Sequence, residues 1–175
     1  MVDLFAILNA PPTWVFWVLA YLIAQRLGEL VYAARNTKRL LSEGAREFGA
    51  DHYHYFIILH GNWIVLLVAL ASPDHALNPY ILNAFFLTQI LRFWTLASIG
   101  RWWTTRIISA PHFPRVKRGP YKFLVHPNYT VVILEIAIVP MLLGLWWVAV
   151  LFSVLNAILL RYRISIENMV LRERD

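Results

Sequence analysis

The run Arg118-Gly119-Pro120-Tyr121-Lys122-Phe123-Leu124-Val125-His126-Pro127-Asn128-Tyr129 packs bases, rings and turn formers together just ahead of an apolar block. It places Lys117, Arg118, Lys122 and His126 beside a hydrophobic segment, which suits an anionic ligand or one of the sulfonium type. Non-helical backbone near a bilayer must find its hydrogen bonds in protein or trapped water, so a loop there needs a reason. Pro127 fits the first position of a helix, where its missing N–H costs nothing.

A second constellation lies near the carboxyl end. Asn156, Arg163 and Glu167 are seven and four residues apart, which at about 100° per helical residue keeps them in a narrow arc. Their neighbours Leu151, Val154, Leu155, Ile158, Leu159 and Leu160 are aliphatic. A polar stripe on one face looks into a bundle or a wet cavity. The alternative is a plain helix end with an Arg163–Glu167 surface pair, but the basic loop needs a facing wall.

Ionisable residues also fall inside apolar blocks, where each requires a partner. Gln25, Glu29, Tyr32 and Asn36 share a helical face, and Arg26 precedes Glu29 by three residues, the spacing of a structural pair. Arg92 sits near the middle of its block with Gln89, and the acids at matching depth are Glu29 and Glu135. For Arg92 and Glu135, pairing and ligand contact both remain open. His52, His54 and His60 lack a carboxylate to complete a metal set, so no metal is expected. Trp102 and Trp103, next to Arg101, could stack on a cofactor.

The elements that position these groups follow from hydropathy. Of 175 residues, 59% are hydrophobic and only 15% charged, with mean hydropathy +0.56; a soluble domain carries about 25% charged residues. Apolar blocks cover about 13–34, 55–72, 79–100, 129–143 and 145–162. A spanning helix takes roughly 20 residues, so the first three suffice, while the last two predict a helical hairpin turning at Pro140–Gly144. The expected fold is a single membrane-embedded domain over 1–175, an all-α polytopic protein of about five transmembrane helices.

All but two of the 16 Lys and Arg lie in 35–52, in 101–127 and from Arg161 onward, whereas 1–12, 73–78 and 140–144 have none. By the positive-inside rule the amino terminus faces out, and the basic loops and carboxyl terminus face the cytoplasm. The net charge of +6 then marks topology and attraction to anionic membrane lipids. Charge spread over membrane-flanking loops is a poor fit to nucleic acid. With no cysteine, disulfides, thiolate metal sites and cysteine nucleophiles are excluded. No cleavable signal peptide is expected, since the amino terminus lacks a basic stretch and the first block is full length.

The G-P-Y and H-P-x-Y signature at Gly119–Tyr121 and His126–Tyr129, with Arg163, Glu167 and Leu171 following, resembles the isoprenylcysteine carboxyl methyltransferase superfamily over roughly 92–170. The resemblance implies a membrane methyltransferase using S-adenosyl-L-methionine. Cofactor contacts would come from Lys117, His126, Pro127, Tyr129 and the backbone of Gly119, Pro120 and Tyr121, with Asn156 beside them and Glu167 on the ribose or amino end. Arg163 would orient cofactor carboxylate or substrate; Arg92 and Glu135 complete the catalytic candidates. Two features depart from the pattern: Asn168 replaces the family's second Glu, and no F-G-x-x-Y-x-x-Y run follows before Asp175. These departures weigh against methyl-ester chemistry on prenylated cysteine more than against the cofactor site.

Leu96–Ile107, Ser153–Arg161 and Gln25–Leu30 are similar to a bacterial branch that O-methylates long-chain alkylpyrones alongside type III polyketide synthases. The expectation is thus O-methylation of a lipophilic small-molecule acceptor, a long-chain alkyl-4-hydroxy-2-pyrone, at the cytoplasmic side of a bacterial cytoplasmic membrane. Alternatives are a prenylcysteine or other lipid methyltransferase, a steroid-reductase-like enzyme using NADPH, and a non-catalytic helical scaffold.

Overall fold

A computed structural model describes residues 13–172; the basic-free 1–12 segment used for topology, and Arg174, lie outside the described residues. Among the described residues five α-helices follow one another: α1 Trp14–Ser42, α2 Tyr53–Leu70, α3 Pro79–Ile99, α4 Pro127–Leu142 and α5 Trp146–Arg172. Four of them are long and apolar enough to cross a membrane, and α4 is shorter at 16 residues. At about 1.5 Å per residue α4 reaches less than a full hydrocarbon thickness of roughly 30 Å. The chain is an all-α polytopic membrane protein in the expected order of spans.

Differences from expectation sit at helix ends. α1 continues to Ser42 and α5 to Arg172, because polar residues past an apolar block need not end a helix that already has its backbone bonds. Pro140 lies within α4, and the hairpin turns at Leu143–Leu145, where Gly144 N–H donates to Met141 O and Leu145 N–H to Pro140 O. α1 stops the same way: Gly44 has φ +89°, Gly44 N–H donates to Leu41 O and Ala45 N–H to Leu40 O. This left-handed termination needs glycine, and it throws the chain directly into a strand.

That strand, β1 Arg46–Phe48, pairs antiparallel with β2 Ile107–Ser109, with Arg46 opposite Ser109 and Phe48 opposite Ile107. The ribbon caps one end of the bundle. The 35–52 stretch, the 101–127 stretch and the end of α5 all gather there, so the structure collects the basic segments at a single end. At the opposite end, Trp14 Nε1 donates to His75 O, and the His75 ring lies against the Gly144 turn.

α4 lies between α3 and α5, and α2 lies on α5. Leu22, Trp63, Leu67, Ile136, Val139, Leu142, Val148 and Phe152 form the apolar core. Outward faces carry Trp17, Val65, Phe86, Ile90, Val150 and Ile158, all exposed. Such surface would aggregate in water but is the natural face towards lipid.

Four charges tie the helices together. Arg26 and Glu29 of α1, Arg92 of α3 and Glu135 of α4 form a closed set. Arg92 pairs with both acids, and Arg26 pairs with Glu135 and with Glu29, the latter at 3.3 Å. Arg92 is 2% and Glu135 0% exposed, while Arg26 and Glu29 are partly buried; the set sits at the inner faces of the helices and its formal charges cancel. Gln89 Nε2 donates to Glu135 Oε1 at 3.0 Å, while Gln25 and Tyr21 both donate to Gln89 Oε1. Both open partners proposed for Arg92 are used at once.

The loop after β2 docks on the end of α3. Arg118 Nε donates to Ser98 O at 2.7 Å. Gly119 has φ +57°, and a Cβ there would lie 2.0 Å from Ser98 Oγ and 2.9 Å from Ser98 Cβ. Both backbone conformation and space therefore demand glycine, which starts the turn Gly119–Lys122 that leads to α4.

Two outcomes follow from this architecture. Removing one partner of a buried ion set costs about 3–5 kcal/mol, so Arg92→Met should lower the thermal midpoint in detergent sharply. Arg92→Met with Glu135→Gln should recover part of it. An unrescued double variant would mean that Arg92 does more than hold helices together. Gly119→Ala should loosen ligand binding at the ribbon end, and adding Ser98→Gly should restore space but not backbone freedom, giving only partial recovery. Full activity of Gly119→Ala would contradict the docking role.

Candidate functional site

Beneath the ribbon lies a cavity of about 180 Å³, far more than the roughly 10–15 Å³ a single water needs. Its walls come from every part of the chain that meets at this end. Leu40 belongs to the last turn of α1 and Ile99 to the end of α3; segments 102–104, 106–109, 113–116 and 125–129, with Tyr121, close the loop side, and α5 supplies Arg163, Glu167, Val170 and Leu171.

The start of α4 and the end of α5 together build the polar wall. Arg163 and Glu167 are one turn apart on α5, and both address Tyr129 in the first turn of α4. Arg163 Nε donates to Tyr129 Oη at 2.9 Å, and the Tyr129 hydroxyl in turn donates to Glu167 Oε2. The phenol is thus fixed as a bridge between guanidinium and carboxylate. Arg163 Nη2 also donates to Thr105 O at 2.8 Å, tying α5 to the segment before β2. The guanidinium stands 5.2 Å over the Phe56 ring and 5.8 Å over the Tyr129 ring, contacts that suit a cation held away from water.

His126 precedes Pro127, the first residue of α4, and stacks on Tyr129 at 5.2 Å between ring centres. Its Nδ1 is 3.9 Å from Glu167 Oε1, and its Nε2 lies 2.9 Å from Asn168 Oδ1. The residue that departs from the family's second acid therefore contacts the motif histidine. Burial, with the Glu167 carboxylate adding to it, pushes the Tyr121 phenol well above the usual tyrosine range. Tyr121 stays protonated at physiological pH and serves as a wall of the cavity, not as a base.

Trp103 forms the back of the cavity and is held from three directions. Its carbonyl accepts from Asn36 Nδ2 at 2.8 Å, its Nε1 donates to Asn128 Oδ1 at 3.4 Å, and its ring stacks on Tyr32 at 5.9 Å. Asn36 and Tyr32, read in the sequence as part of a polar face of the first helix, thus act by positioning a cavity wall.

Of the residues expected at the site, the structure brings Tyr121, His126, Pro127, Tyr129, Arg163 and Glu167 to the cavity, along with Trp102 and Trp103. Lys117, Gly119 and Pro120 are not among its lining: Lys117 is exposed, Pro120 is buried, and Gly119 packs on Ser98. Asn156 is buried two turns before Arg163 on the same face of α5, also outside the lining. Arg92 and Glu135 belong to the ion set within the bundle. Sequence reasoning did not find Leu40, the Thr105 carbonyl or the β2 wall. Ile107-Ile108 is too short a run to read as a strand without its distant partner.

Residues 80–173, which run from α3 to the end of α5 and hold most of the cavity, match the model of the isoprenylcysteine carboxyl methyltransferase (ICMT) family. Over 166 residues, 90% of this chain and 97% of the relative, the chain is 40% identical to the uncharacterized protein YpbQ of Bacillus subtilis (strain 168). No solved structure matches it. The chain belongs to the isoprenylcysteine carboxyl methyltransferase family, and is an integral-membrane methyltransferase of the lipid-methylating kind.

Proposed function

We propose that the protein uses S-adenosyl-L-methionine to O-methylate a lipophilic acceptor, a long-chain alkyl-4-hydroxy-2-pyrone, with the cavity facing the cytoplasm of a bacterial cell. The observation that carries this reading is the convergence of Arg163, Tyr129 and Glu167 on a cavity at the edge of an apolar bundle. The donor set suits the cofactor's chemistry. A carboxylate is present for ribose hydroxyls or an ammonium group, and a guanidinium for a carboxylate. Aromatic faces at Trp102, Trp103 and Tyr129 suit a heterocycle and a sulfonium. Bound there, the cofactor supplies an activated methyl group.

The chain's own residues then have little acid–base work. A 4-hydroxypyrone is acidic enough to be largely an oxyanion at neutral pH, so a general base is unnecessary, consistent with a Tyr121 phenol held in its protonated form. Arg163 retains N–H groups beyond those bound to Tyr129 and Thr105, and these can hold the oxyanion or the cofactor carboxylate. The remaining contribution is alignment of the reacting groups beneath the ribbon. The alkyl tail has exposed apolar helix faces to lie against. The supply of such an acceptor by a type III polyketide synthase fits the similarity of Leu96–Ile107 and Ser153–Arg161 to the alkylpyrone branch.

The test is calorimetric binding of S-adenosylhomocysteine to the protein in detergent, with a reduced nicotinamide cofactor as control. It is followed by mass spectrometry after incubating the methyl donor with an alkylpyrone, an S-farnesylcysteine and a phospholipid amine. Saturable binding and methylation of the pyrone are expected. Hydrogen bonds to a charged group contribute about 1.5–3 kcal/mol, so Glu167→Gln should weaken S-adenosylhomocysteine at least roughly tenfold. Methylation of the farnesylcysteine alone would transfer the protein to that acceptor class, and binding of the nicotinamide alone would end the methyltransferase reading.

A further inference from the structure

Between the turn Gly119–Lys122 and the start of α4, three apolar side chains stand in a row on the outside of the molecule. Phe123 is 78% and Val125 74% exposed, and Leu124 between them is exposed as well. Unlike the outward faces of the helices, this tip belongs to irregular chain. A contiguous apolar patch in such a place marks an interaction surface. Its flanks are basic: Lys122 adjoins the tip, and Lys117 and Arg118 precede the turn, all three exposed.

Two observations set the depth of the tip. The 16 residues of α4 make about 24 Å of helix against roughly 30 Å of hydrocarbon. At the far end of α4 the hairpin leads straight into Trp146 and Trp147, both exposed as belt residues are. The missing length thus falls at the near end, where Phe123–Val125 continue the apolar surface. Beside the turn, the half-exposed Trp94 indole of α3 lies against Gly119 and supplies a belt residue at this end too.

Charge decides which lipid fits. No Asp or Glu occurs between Asp74 and Glu135. At the ribbon end, Glu43, Glu47 and Glu167 are held by Arg101, Arg106 and the Tyr129 hydroxyl. The complement of a basic, apolar tip is an anionic headgroup above acyl chains. We infer that Phe123–Val125 is seated in the leaflet at the ribbon end, among the acyl chains just below the headgroups, with Lys117 and Lys122 binding anionic phospholipid. Tyr121 before the tip and Val125 within it line the cavity, so the seated tip holds that wall at headgroup depth. This surface is independent of which cofactor or acceptor the cavity takes.

The chain has no cysteine, so a bimane label can be attached at Leu124→Cys, outside the cavity lining. Ser42→Cys, the exposed last residue of the 29-residue α1, is the water-side control. The full chain is reconstituted in vesicles of phosphatidylcholine and phosphatidylglycerol, with one lipid or the other brominated on its acyl chains. Bromine should quench the label at position 124 and spare the one at 42. Each basic residue near the surface enriches anionic lipid roughly fivefold, so brominated phosphatidylglycerol should quench at 124 several-fold more than an equal fraction of brominated phosphatidylcholine. Lys117→Gln with Lys122→Gln should bring the two lipids to equality. Quenching at 124 no stronger than at 42 would place the tip in water and overturn the inference. Equal quenching by both lipids with the lysines intact would overturn it as well, and so would a preference that survives the loss of both. Cross-linking of Leu124→Cys between copies, without quenching, would give the tip to a second copy of the chain instead.

Discussion

Charges inside a bilayer must neutralise one another, and the set Arg26, Glu29, Arg92 and Glu135 is where this chain meets that constraint. No member can be satisfied by its own helix alone. Arg26 and Glu29 are neighbours on α1, yet each also reaches across, to Glu135 on α4 and to Arg92 on α3. Three helices are thereby brought to one depth and one rotation. Apolar packing tolerates sliding, because lipid tails are as apolar as a leucine side chain; a set of mutually paired charges does not. With α1, α3 and α4 in register, the end of α1 delivers Leu40, the end of α3 receives the Gly119 turn, and the start of α4 places Tyr129 against Arg163.

The ribbon end depends on contacts of a different kind. α1 is carried to the cap by the Gly44 stop, and Asn36 then grips the Trp103 carbonyl. On the exposed rim, Arg39 donates to Arg101 O at 2.7 Å, Arg101 pairs with Glu43, and Arg106 pairs with Glu47 at 2.9 Å. Exposed pairs of this sort contribute little singly, but they share one task of holding the 101–109 segment onto α1 and β1. The family match begins at residue 80, so the first helix, outside that match, completes a cavity that the matched half would leave open at Leu40.

What could be read from sequence follows from the range over which each signal acts. Apolar blocks are continuous in the chain, so the spans were legible, as was Pro127 opening α4. The Arg163–Glu167 stripe was legible because helical spacing is local, and Tyr129 came with the motif. The β1–β2 ribbon was not, since two three-residue strands lie some 60 positions apart and neither alternates long enough to announce itself. Asn156 shares the angular position of Arg163 but lies deeper along α5, and angle alone does not tell depth. Arg92 and Glu135 had the composition of an active site and the geometry of a clamp. An intramembrane charge signals that a partner exists; only the fold identifies the partner.

For the proposed reaction, the position of the cavity balances two opposed solvation demands. A cofactor carrying several charges would lose several kcal/mol per charge if drawn to the bilayer centre, whereas an alkyl acceptor lifted into water would lose about 0.8 kcal/mol for each exposed CH₂. A site at the boundary avoids both losses, but boundary water would then screen the electrostatics and compete for the reacting groups. The ribbon and the rings beneath it lessen that difficulty. Trp102, Phe113 and the ribbon cover the cavity from the loop side, while Arg163, seated over Phe56 and Tyr129, keeps its charge near rings instead of solvent. A guanidinium so placed acts on an oxyanion more strongly than it would in open water. The same enclosure explains why the acid and the phenol are joined: Glu167, pinned by the Tyr129 hydroxyl, presents its charge in one direction, and a ligand that fits must meet it there.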